Sequence, residues 1–312
     1  MRRLESVAFG LVALFMGAAG SARADDLLGQ PTPGAMDLQP GASVLKHQAI
    51  FFHNWILMPI ITAIAVFVLA LLIICIVRFN KKANPVPARW SHNTYVEILW
   101  TALPVLILTF IAIFSFKLLF AYHDMPPPDL TVKATGYQWY WGYEYPDQKI
   151  PEYDSNVLTA DAAKAAGEPY LLAADNALVV PVNKTVRVLV TGADVIHDFG
   201  VPAFGLKIDA VPGRVNETWF KAEKTGTYYG QCDQLCGVNH AFMPIMIKVV
   251  SQPDFDAWVA TKAPPPAPAA SAPASGAPAA SSAPAASSAP AASSAPAQPQ
   301  KVAQASPAAT LR

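Results

Sequence analysis

Two cysteines, a histidine and a methionine lie within one short stretch of the chain, Gly230–Pro244, which reads GQCDQLCGVNHAFMP. Cys232, Cys236, His240 and Met243 follow one another at spacings of four, four and three residues. Thiolate, imidazole and thioether groups are ligands for soft or borderline transition metals. The stretch therefore predicts a metal site, and its nature depends on the compartment and on the elements that position it.

The N-terminal part of the chain predicts export. Arg2 and Arg3, a short apolar run and the sequence Ala22-Arg23-Ala24 are typical of a signal peptide that is cleaved, here assigned to residues 1–24. Residues 25–48 would then form an exported segment. Hydrophobic residues make up 53% of the chain, charged residues only 14%, and the net charge is zero. This composition favours a membrane protein and gives no indication of nucleic-acid binding.

Two uncharged segments, Ile56–Val77 and Ile98–Phe116, are long enough to cross a membrane. Each reaches the roughly 20 residues that a helix needs to span about 30 Å of hydrocarbon. We assign the spans to residues 49–79 and 96–121, with a connecting loop at 80–95. Because cations cluster around this loop, the positive-inside rule places it in the cytoplasm. A two-span protein of a bacterial inner membrane, with both termini periplasmic, is predicted. The cations are Arg78, Lys81, Lys82 and Arg89.

Beyond the second span the pattern changes to short β-rich runs that Gly, Pro, Asn and Asp separate. Such a pattern predicts an exported β-sandwich or small barrel, assigned to residues 125–262, with a helical insertion at Asp161–Gly167. Residues 263–312 are rich in Ala, Pro and Ser and are predicted to be a disordered tail. The predicted strands include Leu130–Thr135, Leu178–Val180, Thr185–Thr191, Glu217–Lys221, Thr227–Tyr229 and Ile245–Val250.

Several kinds of site could use the cysteine-rich stretch in an oxidising compartment. A disulfide between Cys232 and Cys236 would enclose a very small ring. Zinc would take both cysteines, His240 and a further histidine, whereas a blue-copper site needs one cysteine. His197, which follows a predicted strand, supplies a second imidazole. Two thiolates with two imidazoles and the Met243 thioether favour two copper ions that share both sulfurs as bridges.

The stretch is similar to the copper loop of cytochrome c oxidase subunit II, and the chain resembles that family from about Ile50 to Val250. The segment Lys207–Arg214, which reads KIDAVPGR, carries the same resemblance. It implies a membrane-anchored all-β protein, in which a two-helix transmembrane hairpin precedes a cupredoxin-like Greek-key domain. It also implies a dinuclear copper centre, CuA, with Cys232 and Cys236 as bridging thiolates.

The resemblance further assigns the remaining ligands. His197 and Met243 would bind one copper, and His240 and the backbone carbonyl of Gln234 the other. The family usually has Glu at this last position, where its side chain helps to bind a Mg²⁺ ion shared with the large subunit. A neutral amide is a poorer ligand for a hard cation, so the magnesium site is doubtful in this chain.

An aromatic run, Gly136–Tyr145, reads GYQWYWGYEY and would bring its alternate aromatic side chains to one face if it formed a strand. Most of these rings are expected to pack in the core. The resemblance implies that Trp139 is the point at which electrons enter from cytochrome c. Nearby carboxylates could steer a cationic donor as an acidic patch. They are Glu144, Asp147, Glu152, Asp154 and Asp194.

Glu97 lies where the second span begins. The sequence Thr94-Tyr95-Val96-Glu97 fits a capping box, which places Glu97 in the first helical turn. The resemblance implies a second role for this glutamate, at the cytoplasmic mouth of a proton path through the large subunit. The two roles are compatible.

The favoured function is that of subunit II of a proton-translocating cytochrome c oxidase. The sequence lacks a C-x-x-C-H motif, so haem and oxygen chemistry are assigned to a partner, the haem-copper large subunit (subunit I), with subunit III as a further partner. A quinol oxidase subunit, expected to lack the copper ligands, is disfavoured. The two bridging thiolates disfavour a periplasmic copper carrier or assembly factor. The two membrane spans disfavour the CuA domain of nitrous oxide reductase.

Overall fold

The computed structural model describes residues 28–262. The predicted signal peptide at 1–24 and the predicted tail at 263–312 lie outside the described residues. In the described part, two long helices precede a domain of two β-sheets. The membrane-spanning part and the β-rich part therefore follow each other in the order that the sequence predicts.

The first long helix runs from Val44 to Arg78 and is apolar along most of its length. It consists of α1 (Val44–Phe51), a π-helical segment (Phe52–Leu57) and α2 (Met58–Arg78). Ser43 caps its N-terminus, where the Oγ atom accepts a hydrogen bond from the Lys46 amide. At about 1.5 Å per residue the helix is longer than the membrane is thick, so part of it extends beyond the hydrocarbon.

The second long helix, α3 (Thr94–His123), crosses back. Its cap is Asn93, whose side chain accepts hydrogen bonds from the amides of Tyr95 and Val96. The capping box predicted with Thr94 as the cap is therefore wrong by one residue, because Asn93 already accepts from these amides and Asn is at least as strong a cap as Thr. Glu97 lies in the first turn, as predicted.

Ten strands form two five-stranded sheets with the spatial orders β3-β2-β1-β5-β8 and β4-β10-β9-β6-β7. Most neighbours are antiparallel, but β1 pairs with β5, and β4 with β10, in parallel. The strands are β1 (Leu130–Tyr137), β2 (Tyr140–Tyr145), β3 (Ile150–Ser155), β4 (Leu178–Pro181), β5 (Thr185–Gly192), β6 (His197–Val201), β7 (Leu206–Ala210), β8 (Asn216–Lys221), β9 (Gly226–Cys232) and β10 (Pro244–Val250).

The core lies between the two sheets. Val132 and Ala134 from β1 face Phe199 from β6 and Ile245 and Ile247 from β10 in one buried cluster. These side chains occupy alternate positions along their strands, which is the period of two expected when one face of a sheet is buried. All six strands predicted from the sequence are confirmed, with ends that differ by a few residues.

The aromatic run is a hairpin rather than a single strand. β1 ends at Tyr137 and β2 begins at Tyr140, so Trp139 lies in the turn. Trp141, Tyr143 and Tyr145 share the buried face as predicted, whereas the expectation that Trp139 and Tyr137 join them is wrong. The turn between the two strands interrupts the alternation.

Two helices accompany the sheets. The predicted insertion forms α4 (Ala160–Ala166), capped by Thr159. The C-terminal helix α5 (Gln252–Lys262) was not predicted; its Trp258 packs on Tyr145 with ring centroids 5.0 Å apart. A signal for it exists in the sequence, because Ser251 accepts a hydrogen bond from the amide of Asp254 in the manner of a helix cap.

The β domain is attached to the beginning of the first helix. The Ser43 hydroxyl donates to the Phe204 carbonyl at 2.8 Å, and the Ala42 amide donates to the Ala203 carbonyl at 2.8 Å. Farther along α1, His47 Nε2 lies 2.9 Å from Glu223 Oε2. These contacts fix the domain directly above the end of the membrane-spanning part.

Candidate metal centre

The sheet register brings the upstream histidine to the cysteine-rich loop. In the antiparallel pair of β6 and β9, Phe199 lies opposite Cys232. His197, two residues before Phe199, therefore projects over the loop that begins after Cys232. Its Nδ1 atom is 4.0 Å from Cys232 Sγ, and its side chain is completely buried.

The loop from Asp233 to Met243, which joins β9 to β10, brings the other donors together. Cys236 Sγ lies 3.6 Å from His240 Nδ1 and 3.5 Å from Met243 Sδ. Cys232 Sγ lies 3.2 Å from the backbone carbonyl oxygen of Gln234. The four other sequence-predicted donor groups, those of His197, Gln234, His240 and Met243, therefore lie around the sulfurs of Cys232 and Cys236.

The two sulfurs are 3.9 Å apart, whereas a disulfide bond measures about 2.05 Å. They are separate thiols in this structure. Donor atoms of His197, Cys232 and Cys236 all lie within 4.8 Å of one another, and all three residues are buried. A cluster with two thiols and soft neighbours can hold a metal of the copper or zinc type.

The two thiols have different electrostatic surroundings. Burial raises the pKa of the Cys232 thiol, but hydrogen bonds from His197 and from the Asp198 backbone amide stabilise its thiolate and bring the pKa below the ordinary value. Burial and the neighbouring Cys232 raise the pKa of Cys236 to about 12. A second negative charge next to the first is unfavourable unless a cation is bound, so the pair is suited to a cation that contacts both sulfurs.

His197 is fixed from its far side by a carboxylate. Asp194 Oδ1 lies 2.8 Å from His197 Nε2, and the other oxygen accepts from the Gln138 amide at 2.8 Å. Burial raises the pKa of Asp194, but the hydrogen bonds from His197, Val195 and Gln138 outweigh it and lower the pKa. A carboxylate on the distal nitrogen orients a ligating imidazole and makes it more basic.

A glycine makes room for the same imidazole. A Cβ atom at Gly136 would lie 2.8 Å from the ring of His197 and 3.0 Å from its Cβ, which is closer than side chains normally approach. The ring of Trp141 lies on another side, with centroids 6.1 Å apart. Neither Gly136 nor Trp141 was predicted to be part of the site. Their contacts with His197 join different strands, and the spacing of residues along the sequence does not indicate such contacts.

Three side chains from the β1–β2 hairpin hold the loop backbone. Gln138 Nε2 donates to the Cys236 carbonyl at 2.7 Å, and Trp139 Nε1 donates to the same oxygen at 3.3 Å. Trp141 Nε1 donates to the Met243 carbonyl at 3.3 Å. The loop is thus tied to the opposite sheet at two of its candidate ligands.

A buried carboxyl group, missed in the sequence analysis, follows His197 directly. Asp198 is 2% exposed, and its Oδ1 atom has no hydrogen-bond partner within residues 28–262. Burial, with the nearby carboxylate of Asp233, raises its pKa to about 7.

The predicted docking carboxylates do not form one uniform group. Glu144 Oε2 pairs with Lys133 at 3.0 Å, and Glu152 Oε1 accepts a hydrogen bond from the Tyr137 hydroxyl at 2.6 Å. Asp147 accepts from the Thr131 amide at 3.1 Å, and Asp154 is exposed on β3. Asp194 belongs to the surroundings of His197 and is the member that touches a candidate ligand.

Glu97 lies far from this cluster. It is separated from His123, at the other end of α3, by roughly 39 Å at 1.5 Å per residue. Any role of its carboxylate therefore concerns the opposite side of the membrane.

Comparison with known proteins agrees with these features. Residues 130–250 match the family described as "Cytochrome C oxidase subunit II, periplasmic domain", and residues 31–118 match its transmembrane domain. The chain belongs to the cytochrome c oxidase subunit II family. It is thus a component of an oxidase complex and a membrane protein with two spans.

Two relatives each cover three quarters or more of the chain. A probable cytochrome c oxidase subunit 2 of Rickettsia bellii is 52% identical over 233 residues, which cover 75% of this chain and 86% of the relative. The cytochrome c oxidase subunit 2 of Cereibacter sphaeroides is 45% identical over 277 residues, which cover 82% of this chain and 90% of the relative. The periplasmic domain of oxidase subunit II (CoxB) from Bradyrhizobium japonicum is 60% identical, covers 44% of this chain and 96% of its own, and has a TM-score of 0.41.

Proposed function

We propose that the chain accepts electrons from cytochrome c at a dinuclear CuA centre and passes them to haem in the large subunit of a proton-translocating oxidase. The observation that carries the proposal is the pair of separate, buried thiols of Cys232 and Cys236, 3.9 Å apart. Two imidazoles, one thioether and one carbonyl oxygen surround this pair. A protein that delivers copper needs an accessible site from which the metal can be passed on, whereas both of these thiols are only 4% exposed.

The donor set fits two copper ions. Cys232 and Cys236 would bridge both ions, with His197 and Met243 on one copper and His240 and the Gln234 carbonyl on the other. Soft sulfur ligands together with imidazole are typical of copper electron-transfer sites. When bound, such a pair supplies one-electron chemistry in which the electron is shared between both ions.

The protein contributes rigidity and exclusion of water. Cys232, Cys236, Met243 and His197 are each at most 4% exposed. Asp194 orients His197, and the β1–β2 hairpin holds the carbonyl groups of Cys236 and Met243. Ligands that cannot move keep the same positions in both oxidation states, and a site of this kind is suited to relaying electrons rather than to breaking substrate bonds.

Trp139 is the proposed point at which electrons enter. Its indole is only partly buried, so one edge is accessible to a donor. Its Nε1 atom contacts the carbonyl oxygen of Cys236, which belongs to a candidate bridging ligand. This hydrogen bond connects the surface of the domain to the centre through a single residue.

The acidic face of the β1–β2–β3 sheet is the proposed docking surface for the donor. Glu144, Glu152 and Asp154 lie on neighbouring strands, and Lys133 neutralises only part of their charge. A net negative face attracts a cationic protein and raises its association rate. Asp147 contributes at the edge of this face, and Asp194 contributes mainly through His197.

The remaining assignments concern the membrane and the partners. We propose that the β domain is periplasmic and that the membrane is the bacterial inner membrane, with subunits I and III packed against the exposed faces of the two spans. Glu97 would then face the cytoplasm as the mouth of a proton path. Asn93 caps α3, so the Glu97 side chain is not needed for that purpose. Gln234, in place of the usual Glu, would offer a magnesium ion shared with the large subunit a neutral amide, which is a poorer ligand than a carboxylate.

Rapid mixing tests the proposal. The full-length chain, loaded with copper and mixed with reduced cytochrome c, is expected to take up one electron per two copper ions while the cytochrome is oxidised. The Trp139→Ala variant should react at least about tenfold more slowly, because the entry residue is lost. Its copper spectrum should be unchanged, because Gln138 still donates to the Cys236 carbonyl. The matched control, Trp90→Ala, alters an exposed tryptophan of the loop between the spans and should have no effect. Electron uptake that is equally fast without Trp139 would contradict its role.

A further inference from the structure

A cleft separates the two long helices at the end that carries the β domain. Its volume is about 520 Å³, and it lies apart from the candidate metal centre. Residues from α1, the π-helical segment, α3 and the β8–β9 connection surround it. They include Phe51, Phe52, Ile56, Phe114, Leu118, His47, Gln48, Lys117 and Glu223.

The depth of the cleft follows from the length of α3. Glu97 and Lys117 are separated by about 20 residues, or about 30 Å along the helix, which matches the thickness of the hydrocarbon core. With Glu97 at one boundary of the membrane, Lys117 lies at the other. The cleft therefore sits where acyl chains end and headgroups begin.

The walls of the cleft differ along its depth. Phe52, Ile56 and Phe114 form the deeper part and are apolar, with Phe114 about one helical turn below Lys117. Lys117 lies at the level above them, and within residues 28–262 it forms no ion pair. An exposed ammonium at this depth attracts a phosphate group, and the apolar walls accept methylene groups.

A carboxylate completes the rim on the side of the β domain. Glu223 is about one third exposed; its Oε2 atom contacts His47, and its Oε1 atom has no hydrogen bond among the described residues. The rim thus presents a cation at Lys117 and an anion at Glu223. This pair of opposite charges matches a headgroup that itself carries a phosphate and an ammonium.

We propose that the cleft binds a phospholipid whose headgroup carries a phosphate and a primary ammonium, namely phosphatidylethanolamine. Its phosphate contacts Lys117, its ammonium contacts Glu223 and Gln48, and the upper part of one acyl chain lies along Phe52, Ile56 and Phe114. The lipid fills the cleft between the first long helix and α3, next to the point where these helices contact each other below the β domain. The proposal does not depend on the metal centre.

The charges of the rim distinguish this lipid from others. A purely anionic headgroup, such as phosphatidylglycerol, would bring its charge near Lys117 but offer the Oε1 atom of Glu223 only neutral hydroxyl donors, which form weaker hydrogen bonds than an ammonium does. A choline headgroup has no N–H donor for the carboxylate, so it cannot form the charge-assisted hydrogen bond that a primary ammonium forms. Binding is therefore expected to be strongest for ethanolamine.

Native mass spectrometry of the full-length chain in detergent, with added phosphatidylethanolamine, phosphatidylglycerol or phosphatidylcholine, measures this preference. Lys117→Gln should weaken ethanolamine-lipid binding about tenfold, and Lys117→Arg should largely retain it. Glu223→Gln should remove the preference for ethanolamine over choline. The control Lys164→Gln, at an exposed lysine of α4, should bind as the unchanged chain does. Equal binding of all three lipids, or equal binding by Lys117→Gln, would overturn the proposal.

A second measurement covers the possibility that a protein segment fills the cleft in the membrane. A photo-crosslinking benzoylphenylalanine in place of Phe51 keeps an aromatic ring at the wall of the cleft. Irradiation of native membranes should yield a phospholipid adduct of the chain. Crosslinking to a polypeptide instead would show that a partner occupies the cleft and would refute lipid binding there.

Discussion

The metal loop and the acidic face lie on the two sides of the same β1–β2 hairpin, but they are built differently. On the loop side, Gln138, Trp139 and Trp141 each donate a hydrogen bond to the loop backbone. Four of the candidate ligand side chains are buried, those of His197, Cys232, Cys236 and Met243. On the acidic side, Glu144 and Glu152 are about one third exposed and share one lysine. The loop is a fixed arrangement in which each residue matters, whereas the face acts through summed charge.

The largest effect is expected at the sulfurs. Cys232→Ser or Cys236→Ser replaces a soft thiolate by a hydroxyl, which is a poor ligand for copper. Either variant should lose one of its two copper ions or both, as measured by metal analysis of the full-length chain. Cys75→Ser, in the first span, is the matched control and should retain both ions. A serine variant that still binds two coppers with an unaltered spectrum would contradict shared bridging.

Two glycines of the hairpin provide a direct comparison of the two sides. At Gly136 an added methyl group meets the buried ring and Cβ of His197, whereas at Gly142 it meets the end of the Glu152 side chain, which can move. Gly136→Ala should lower the free energy of unfolding by about 1–3 kcal/mol and disturb the copper spectrum. Gly142→Ala should cost less than about 1 kcal/mol and leave the spectrum unchanged. Chemical denaturation and visible spectra measure both, and equal effects would remove the proposed difference.

The carboxylate behind His197 should have a smaller effect. Asp194→Asn keeps the shape of the side chain but removes the charge that orients the imidazole, and copper affinity should fall about 10- to 100-fold. Competition with a copper chelator measures the change. Asp154→Asn removes an acidic-face charge that touches no ligand and serves as the control. If both variants lose affinity equally, Asp194 acts only through general electrostatics.

The smallest effects are expected on the acidic face. Glu152→Gln should slow association with a cationic cytochrome about twofold at low salt, and Lys133→Gln should accelerate it by a similar factor. Both changes should disappear near 0.5 M salt, because exposed charges are then screened. Stopped-flow rates at several ionic strengths measure them. Rates that remain different at high salt would indicate a structural change instead.

The sequence predicted the parts of this architecture that local patterns determine. Spans and strands follow from hydrophobic runs and turn residues, and the spacing of Cys232, Cys236, His240 and Met243 keeps these donors within one loop. The residues missed were those whose roles arise from contacts between strands. Gly136 contacts His197 of β6, and Gln138 and Trp141 contact the loop, only because β1 and β2 lie opposite these elements.

Two errors have local physical reasons. The turn at Gln138 and Trp139 carries neither Gly nor Pro, so the aromatic run looked like one strand. The capping box at Thr94 overlooked Asn93, a cap of comparable or greater strength one residue earlier. In both cases the sequence pattern was compatible with two local structures, and the structure contains the one that was not predicted.

The central claim is that two thiolates hold two copper ions jointly. Metal analysis together with electron paramagnetic resonance of the copper-loaded, full-length chain tests it most directly. The account predicts two coppers per chain and a seven-line mixed-valence spectrum, in which one unpaired electron couples equally to both nuclei. One copper per chain with a four-line spectrum, or tightly held zinc without colour, would contradict it.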